Sequence, residues 1–174
     1  MEAQPASHAL CCSVKWVSMT FDSEALHSVL LCRSGQRLCA LPLRHVREIM
    51  RALPVDPMPA MADFLLGLAL IRGVPVPVID CARLVGPSRS PQVSRFVALT
   101  VGPRQLALAV DGVIGVRQLA AAALAEIAPL LDSSDDGLVQ AIATLDAELL
   151  LVLRAGRMVP EAMWQALAVG EAAA

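Results

Sequence analysis

The stretch GLALIRGVPVPVID, residues 67–80, constrains the fold more than any other part of the chain. Leu68–Ile71 and Val74–Ile79 carry the aliphatic side chains that a pleated, buried surface selects, and only Arg72-Gly73 separates them. Such a short connection predicts a β-hairpin, with Gly73 supplying the positive φ that the reversal demands. Pro75 and Pro77 donate no ladder hydrogen bond, so the second strand is expected to be bent or to lie at a sheet edge. Between Gly67 and Ile79 the single charged side chain is Arg72, and a guanidinium at the tip of an apolar hairpin either braces a loop or is read by a partner.

The same signature recurs along the chain. Residues 27–33 and 36–41 flank Ser34-Gly35 as a second hairpin, and residues 41–50 fit either a helical spacing or a strand, with apolar side chains on more than one face. Pro54, Pro57 and Pro59 make 51–63 a loop, from which Ala62–Leu66 could deliver one helical turn into the 67–80 hairpin. Residues 86–92, GPSRSPQ, are the clearest composition shift and are expected to connect two halves. Beyond them, Val93–Val101, Gln105–Val110 and Val113–Gln118 predict an antiparallel meander turning at Gly102-Pro103 and Asp111-Gly112. An alanine-rich helix over 119–128, an exposed acidic loop over 131–137, and strands Leu138–Leu145 and Leu149–Arg154 follow. A last helix starts near Pro160 with Met163, Trp164 and Leu167 as its packing stripe. Roughly ten short strands between turn signals indicate an all-β barrel or sandwich, and the break at 86–92 favours two small barrels.

Composition excludes several classes of function. The chain has 174 residues with a net charge of −2, and of its 14 basic side chains Lys15 is the sole lysine, without a basic cluster or interleaved aromatics, so nucleic acid is not an expected partner. Hydrophobic residues make up 56% and aromatics 3%, which leaves Leu, Val, Ala and Ile to build the core. No run reaches the roughly 18 uninterrupted apolar residues of a spanning helix, and the N-terminal MEAQPASHALCC lacks the basic-then-apolar design of a secretory signal. Residues 1–25 are expected to be a partly ordered leader. The chain is thus expected to be cytoplasmic, without direct membrane insertion. Its five cysteines, an odd number, are expected to be reduced thiols.

Residues that carry chemistry are few. His8, His27 and His45 have no Cys or carboxylate partner at metal-ligand spacing, Cys11-Cys12 is not a C-x-x-C pair, and no nucleophile elbow or phosphate-cradling glycine loop is present. No catalytic residue, metal ligand or cofactor is expected.

Four markers stand in order: Val46-x-Glu48-Ile49; Gly67-x-x-x-x-Arg72-Gly73; Val76-Pro77-Val78-Ile79-Asp80; and Val110-Asp111-Gly112-Val113-x-x-Val116. Together they resemble the CheW domain of bacterial chemotaxis coupling proteins, over roughly Leu26 to Val159. The resemblance implies two linked five-stranded, SH3-like barrels within a single domain over 26–170. It also implies a non-catalytic adaptor that bridges the cytoplasmic tip of chemoreceptors to the regulatory domain of a CheA-type histidine kinase, at membrane-associated receptor arrays. It marks Val46, Glu48, Ile49, Gly67 and Arg72 as partner-binding positions. Plainer roles stand beside these: Glu48 and Arg72 can pair with each other, Val46 and Ile49 can be core, Asp80 can cap the CARLV turn, and Asp111-Gly112 can be turn chemistry. A coupling protein of a related pathway such as pilus-driven motility would read the same way. A small-molecule-binding barrel or a hydrolase with a dispersed site is the rival from another class, and a deep pocket of convergent polar groups would favour it.

Overall fold

The computed structural model describes residues 26–58, 62–86, 92–120, 125–126 and 137–165. The expected leader, most of the 86–92 and 131–137 segments, and Leu167 lie outside the described residues. In chain order the strands are β1 (Leu26–Ser34), β2 (Arg37–Pro42), β3 (Val46–Arg51), β4 (Leu65–Ile71) and β5 (Val74–Asp80). Helix α1 (Cys81–Val85) precedes β6 (Arg95–Val101), β7 (Arg104–Val110), β8 (Gly112–Ala120), β9 (Ala125–Glu126), β10 (Val139–Leu145) and β11 (Glu148–Leu153).

These strands form two sheets on one plan. The first has the order β8-β1-β2-β11-β10-β9 and the second β3-β6-β7-β5-β4. In each, a hairpin (β1–β2 or β6–β7) is flanked on one side by an antiparallel strand (β8 or β3). On the other side it meets a second hairpin through a parallel pairing, β2 with β11 and β7 with β5. The expected pair of small five-stranded, SH3-like units is thus present, with the two-residue β9 as a sixth strand in one of them.

The second sheet curls on itself. Past Arg51 the chain continues to Asp56, which forms an antiparallel bridge with Leu68 of β4, its N–H donating to the Leu68 carbonyl at 2.8 Å and its carbonyl accepting from the Leu68 N–H at 3.0 Å. The continuation of β3 thereby meets β4, the strand at the opposite end of the sheet order. Gly67 lies under that bridge with φ +140°.

The sheets exchange segments. β3, β4 and β5 follow the first hairpin in sequence yet join the second hairpin, and β8, β10 and β11 follow the second yet join the first. The composition shift at 86–92 therefore connects β5 and β6, two strands of one sheet; the chain changes sheets between β2 and β3 and between β7 and β8. The expected meander through Asp111-Gly112 is corrected here. β8 pairs with β1, because Asp111 N–H donates to the Arg33 carbonyl at 2.9 Å and its carboxylate accepts from Gly35 N–H at 2.7 Å, anchoring the crossing to the β1–β2 turn. The alanine-rich run is also corrected where it is described: pairing with β10 holds Ala125–Glu126 as strand against the helical preference of alanine.

Burial on both faces of the central strands explains the hydropathy of the sequence. Val29 and Leu31 point into one cluster while Leu30 and Cys32 point into another, and β2 divides Leu38 and Ala40 from Cys39 and Leu41 in the same way. On β7, Ala107 and Ala109 face the interior of the second sheet while Leu106, Leu108 and Val110 face the joint between sheets. Three packed clusters result, one within each sheet and a larger one between them. A strand with two dry faces shows no alternation and reads as a continuous apolar run.

Pro75 and Pro77 fit an interior strand because the parallel pairing of β5 with β7 begins only at Val78, so the expected edge position of this strand holds for its first half alone. Asp80 is 1% exposed, and its carboxylate accepts from Ala82 N–H at 3.0 Å, capping α1. The segment 41–50 is a 3₁₀ turn at Leu43–His45 followed by β3, and a turn at 63–64 replaces the helical turn expected before β4. The last helix is described over 161–165. Arg104 of β7 holds it by hydrogen bonds to both Glu161 oxygens at 2.5 and 2.6 Å, with its guanidinium 5.1 Å from the Trp164 ring centre.

Candidate functional site

Two of the residues marked by sequence meet at the rim of the curled sheet. Arg72 and Gly73 have φ of 53° and 80°, so β4 and β5 are joined by the tight turn whose two central residues are both left-handed. Glycine accepts that conformation freely, whereas arginine does so at a cost of about 1 kcal/mol. The strained position aims the guanidinium at β3. Arg72 Nη2 donates to Glu48 Oε2 at 2.7 Å and Nε donates to Oε1 at 3.0 Å, a two-pronged contact between the hairpin tip and the strand at the other end of the sheet order. The hydrogen bonds from Arg72, with the charges of Arg72 and Arg47 in support, hold the Glu48 carboxyl below its usual range, and the same pairing raises Arg72.

The sign of that shift gives a direct check. A carboxyl lowered in the folded state contributes stability above its unfolded pKa, and that contribution disappears as pH falls through the folded value. The Glu48 carboxyl carbon, followed by NMR from pH 7 to 2, is expected to titrate below an ordinary glutamate and to move back up in Arg72→Ala. An unchanged midpoint would contradict the pairing.

Exposed apolar and basic side chains lie on these strands, on more than one face. Leu70 is 65% exposed and Val74 48%, beside the turn, and Ile49 is 45% exposed between Arg47 and Arg51 on the face of β3 opposite Glu48. Val46 is half-buried against the joint cluster, and Gly67 is buried beneath Asp56. The structure therefore brings Glu48 and Arg72 together, leaves Ile49 on the surface, and places Val46 and Gly67 underneath it. Leu70, Val74, Arg47 and Arg51 were missed by sequence reading; the β3 alternation, once its strand state is known, exposes the two arginines. On the other sheet Ile114 and Val116 of β8 are exposed, and so, three strands away, is Leu149 of β11.

A family model described as "CheW-like domain" matches residues 28–163, well over half of the chain. The chain belongs to the CheW-like domain family. It is similar to Protein FrzA of Myxococcus xanthus, with 29% identity over 90 residues, which are 50% of this chain and 56% of that protein. The chain thus spans about half the length of the curated relative it matches. Among solved structures it is similar to the scaffolding protein TtCheW from Thermoanaerobacter tengcongensis, with a TM-score of 0.66 and 19% identity over 75% of this chain and 86% of that one. At that identity the likeness is one of fold.

This CheW-like chain offers little to a reaction among its described residues. No cluster of three or more His, Cys, Asp or Glu is placed to hold a metal, and no helix is long and apolar enough to cross a membrane. A cleft of about 300 Å³ opens where α1 meets the end of β11, lined by Phe64, Leu84, Val85, Leu138, Met158 and Arg157 among others. Among the described residues Arg157 is the one ionisable group that lines it.

Proposed function

We propose that this chain is a non-catalytic adaptor of chemotaxis-type signal transduction, which couples methyl-accepting chemoreceptors to a CheA-type histidine kinase by contacting the receptor cytoplasmic tip and the kinase regulatory domain. Its place is then the cytoplasm, at receptor arrays. The observation that carries this reading is the Arg72–Glu48 pair, held on a strained turn with exposed Leu70 and Val74 beside it on one sheet, while Ile114 and Val116 are exposed on β8 of the other. Exposed apolar side chains on both sheets suit a protein gripped by two partners at once. Glu48, Arg72 and Ile49 are the proposed contacts, with Val46 and Gly67 shaping the surface from beneath.

The test is a pull-down with the kinase regulatory domain and a receptor cytoplasmic tip, comparing wild type, Arg72→Glu, Glu48→Arg and the double swap. Capture of both partners by wild type, with one lost in both single variants and not regained in the swap, is the expected result. Recovery in the swap would mean that the pair only braces the hairpin, and a folded wild type that captures neither partner would end the adaptor reading.

A further inference from the structure

The joint between the sheets holds three thiols that the adaptor reading does not use. Cys32 of β1 and Cys39 of β2 stand directly opposite each other in the ladder, and Cys81, the first residue of α1, brings its Sγ to 4.0 Å from that of Cys39. All three are fully buried. The contact has a direction, with the Cys81 S–H donating to the Cys39 sulfur. This hydrogen bond, helped by the nearby Arg37 charge, lowers the Cys39 thiol against the effect of burial; the same bond and burial raise Cys81 well above its ordinary range. Cys32 is pushed up to about 12, by burial first and then by Cys39. A separate feature marks the same place. The Ser34 hydroxyl is 1% exposed and lies against the Cys81 thiol.

We propose that Cys39 and Cys81 are a peroxide-sensitive dithiol site, whose disulfide ties β2 of the six-stranded sheet to α1 at the end of the five-stranded one. The inference stands independently of the adaptor reading. In the first step the Cys39 thiolate sulfur attacks one oxygen of hydrogen peroxide. The O–O bond breaks, the departing hydroxide takes a proton to become water, and Cys39 becomes a sulfenic acid. The Cys81 sulfur then attacks the Cys39 sulfur, the S–O bond breaks, and hydroxide leaves with the Cys81 proton as a second water. Two thiols have lost two electrons and two protons, and one peroxide has become two waters. The sulfurs close from 4.0 Å to about 2.05 Å. All three sulfurs are buried, so the first step requires a local opening at the C-terminal end of the five-residue α1, with Cys81 staying against Cys39.

The experiment uses the full chain carrying Cys11→Ser and Cys12→Ser, so that the joint thiols alone report. The folded protein is exposed to hydrogen peroxide, quenched with catalase, alkylated in denaturant and mapped as peptides. A Cys39–Cys81 linked peptide that accumulates with time, disappears with dithiothreitol and leaves Cys32 alkylated is the expected result. The linked form is expected to melt several degrees higher, because the bond closes a long loop in the unfolded chain. The mapping needs no substitution at the pair itself. Recovery of both cysteines as alkylated thiols, at a dose that fully oxidises a peptide thiol, overturns the proposal. So does a Cys32–Cys39 bond, or a Cys39–Cys81 bond that forms only in denaturant.

Discussion

Replacing Gly67 with alanine is expected to destabilise the protein by roughly 3 kcal/mol or more, a loss at the severe end of single substitutions. A Cβ at this position would stand 2.1 Å from the Asp56 carbonyl oxygen and 2.9 Å from the Pro57 Cα. Both are backbone atoms, so no side chain can swing aside, and φ of +140° is itself closed to alanine. Relief requires the Asp56–Leu68 bridge to open, which takes the continuation of β3 off β4 and uncurls the sheet. Gly35→Ala is the matched control. Its φ is +59° but nothing lies within 4 Å, so the cost there is the backbone penalty alone, about 1 kcal/mol. Denaturant unfolding of both variants distinguishes the two cases, and equal losses would show that the bridge contributes nothing.

Phe96→Ala is expected to cost about 3–5 kcal/mol, which in a domain of this size lowers the melting temperature by roughly 2–4 °C for each kcal/mol. Phe96 is 1% exposed and, among the described residues, is the only aromatic ring in the cluster inside the second sheet. Its neighbours include Ala69, Ala107 and Ala109, small side chains that make room for one ring and cannot reach across the space it leaves. Collapse is limited, so the cost belongs near the upper end of the range. Phe96→Leu keeps most of the volume and is expected to cost under 2 kcal/mol. A calorimetric shift as small for alanine as for leucine would mean that the sheet closes over the gap.

What the sequence made legible was local. The 67–80 hairpin follows from a two-residue turn between aliphatic runs, and Asp80 announces itself as a cap, because each depends on neighbours a few residues away. The crossing at Asp111 does not, since it is set by Arg33 and Gly35, nearly eighty residues earlier, and an Asp-Gly pair reads equally as a hairpin turn. The pair of five-stranded units came from the family resemblance and not from a repeat, although a signal existed. Gly35-Gln36-Arg37-Leu38-Cys39-Ala40-Leu41 in the first hairpin parallels Gly102-Pro103-Arg104-Gln105-Leu106-Ala107-Leu108 in the second, a Gly-x-Arg-x-x-Ala-Leu repeat too short to stand out in a Leu- and Ala-rich chain. Of the site, the pairing of Glu48 with Arg72 was open to sequence as one of two readings. The burial of Gly67 was not, because its cause is the approach of a loop that no periodicity encodes.

The exchange of segments between the sheets bears on how the molecule comes apart. A chain cut between residues 86 and 92 would yield two pieces, each owning one hairpin of one sheet and the flanking strands of the other, so neither piece holds a whole sheet. Loss of either sheet strips partners from strands at both ends of the polypeptide. Melting should therefore proceed in one cooperative step, and two such pieces mixed together should restore the fold that neither reaches alone.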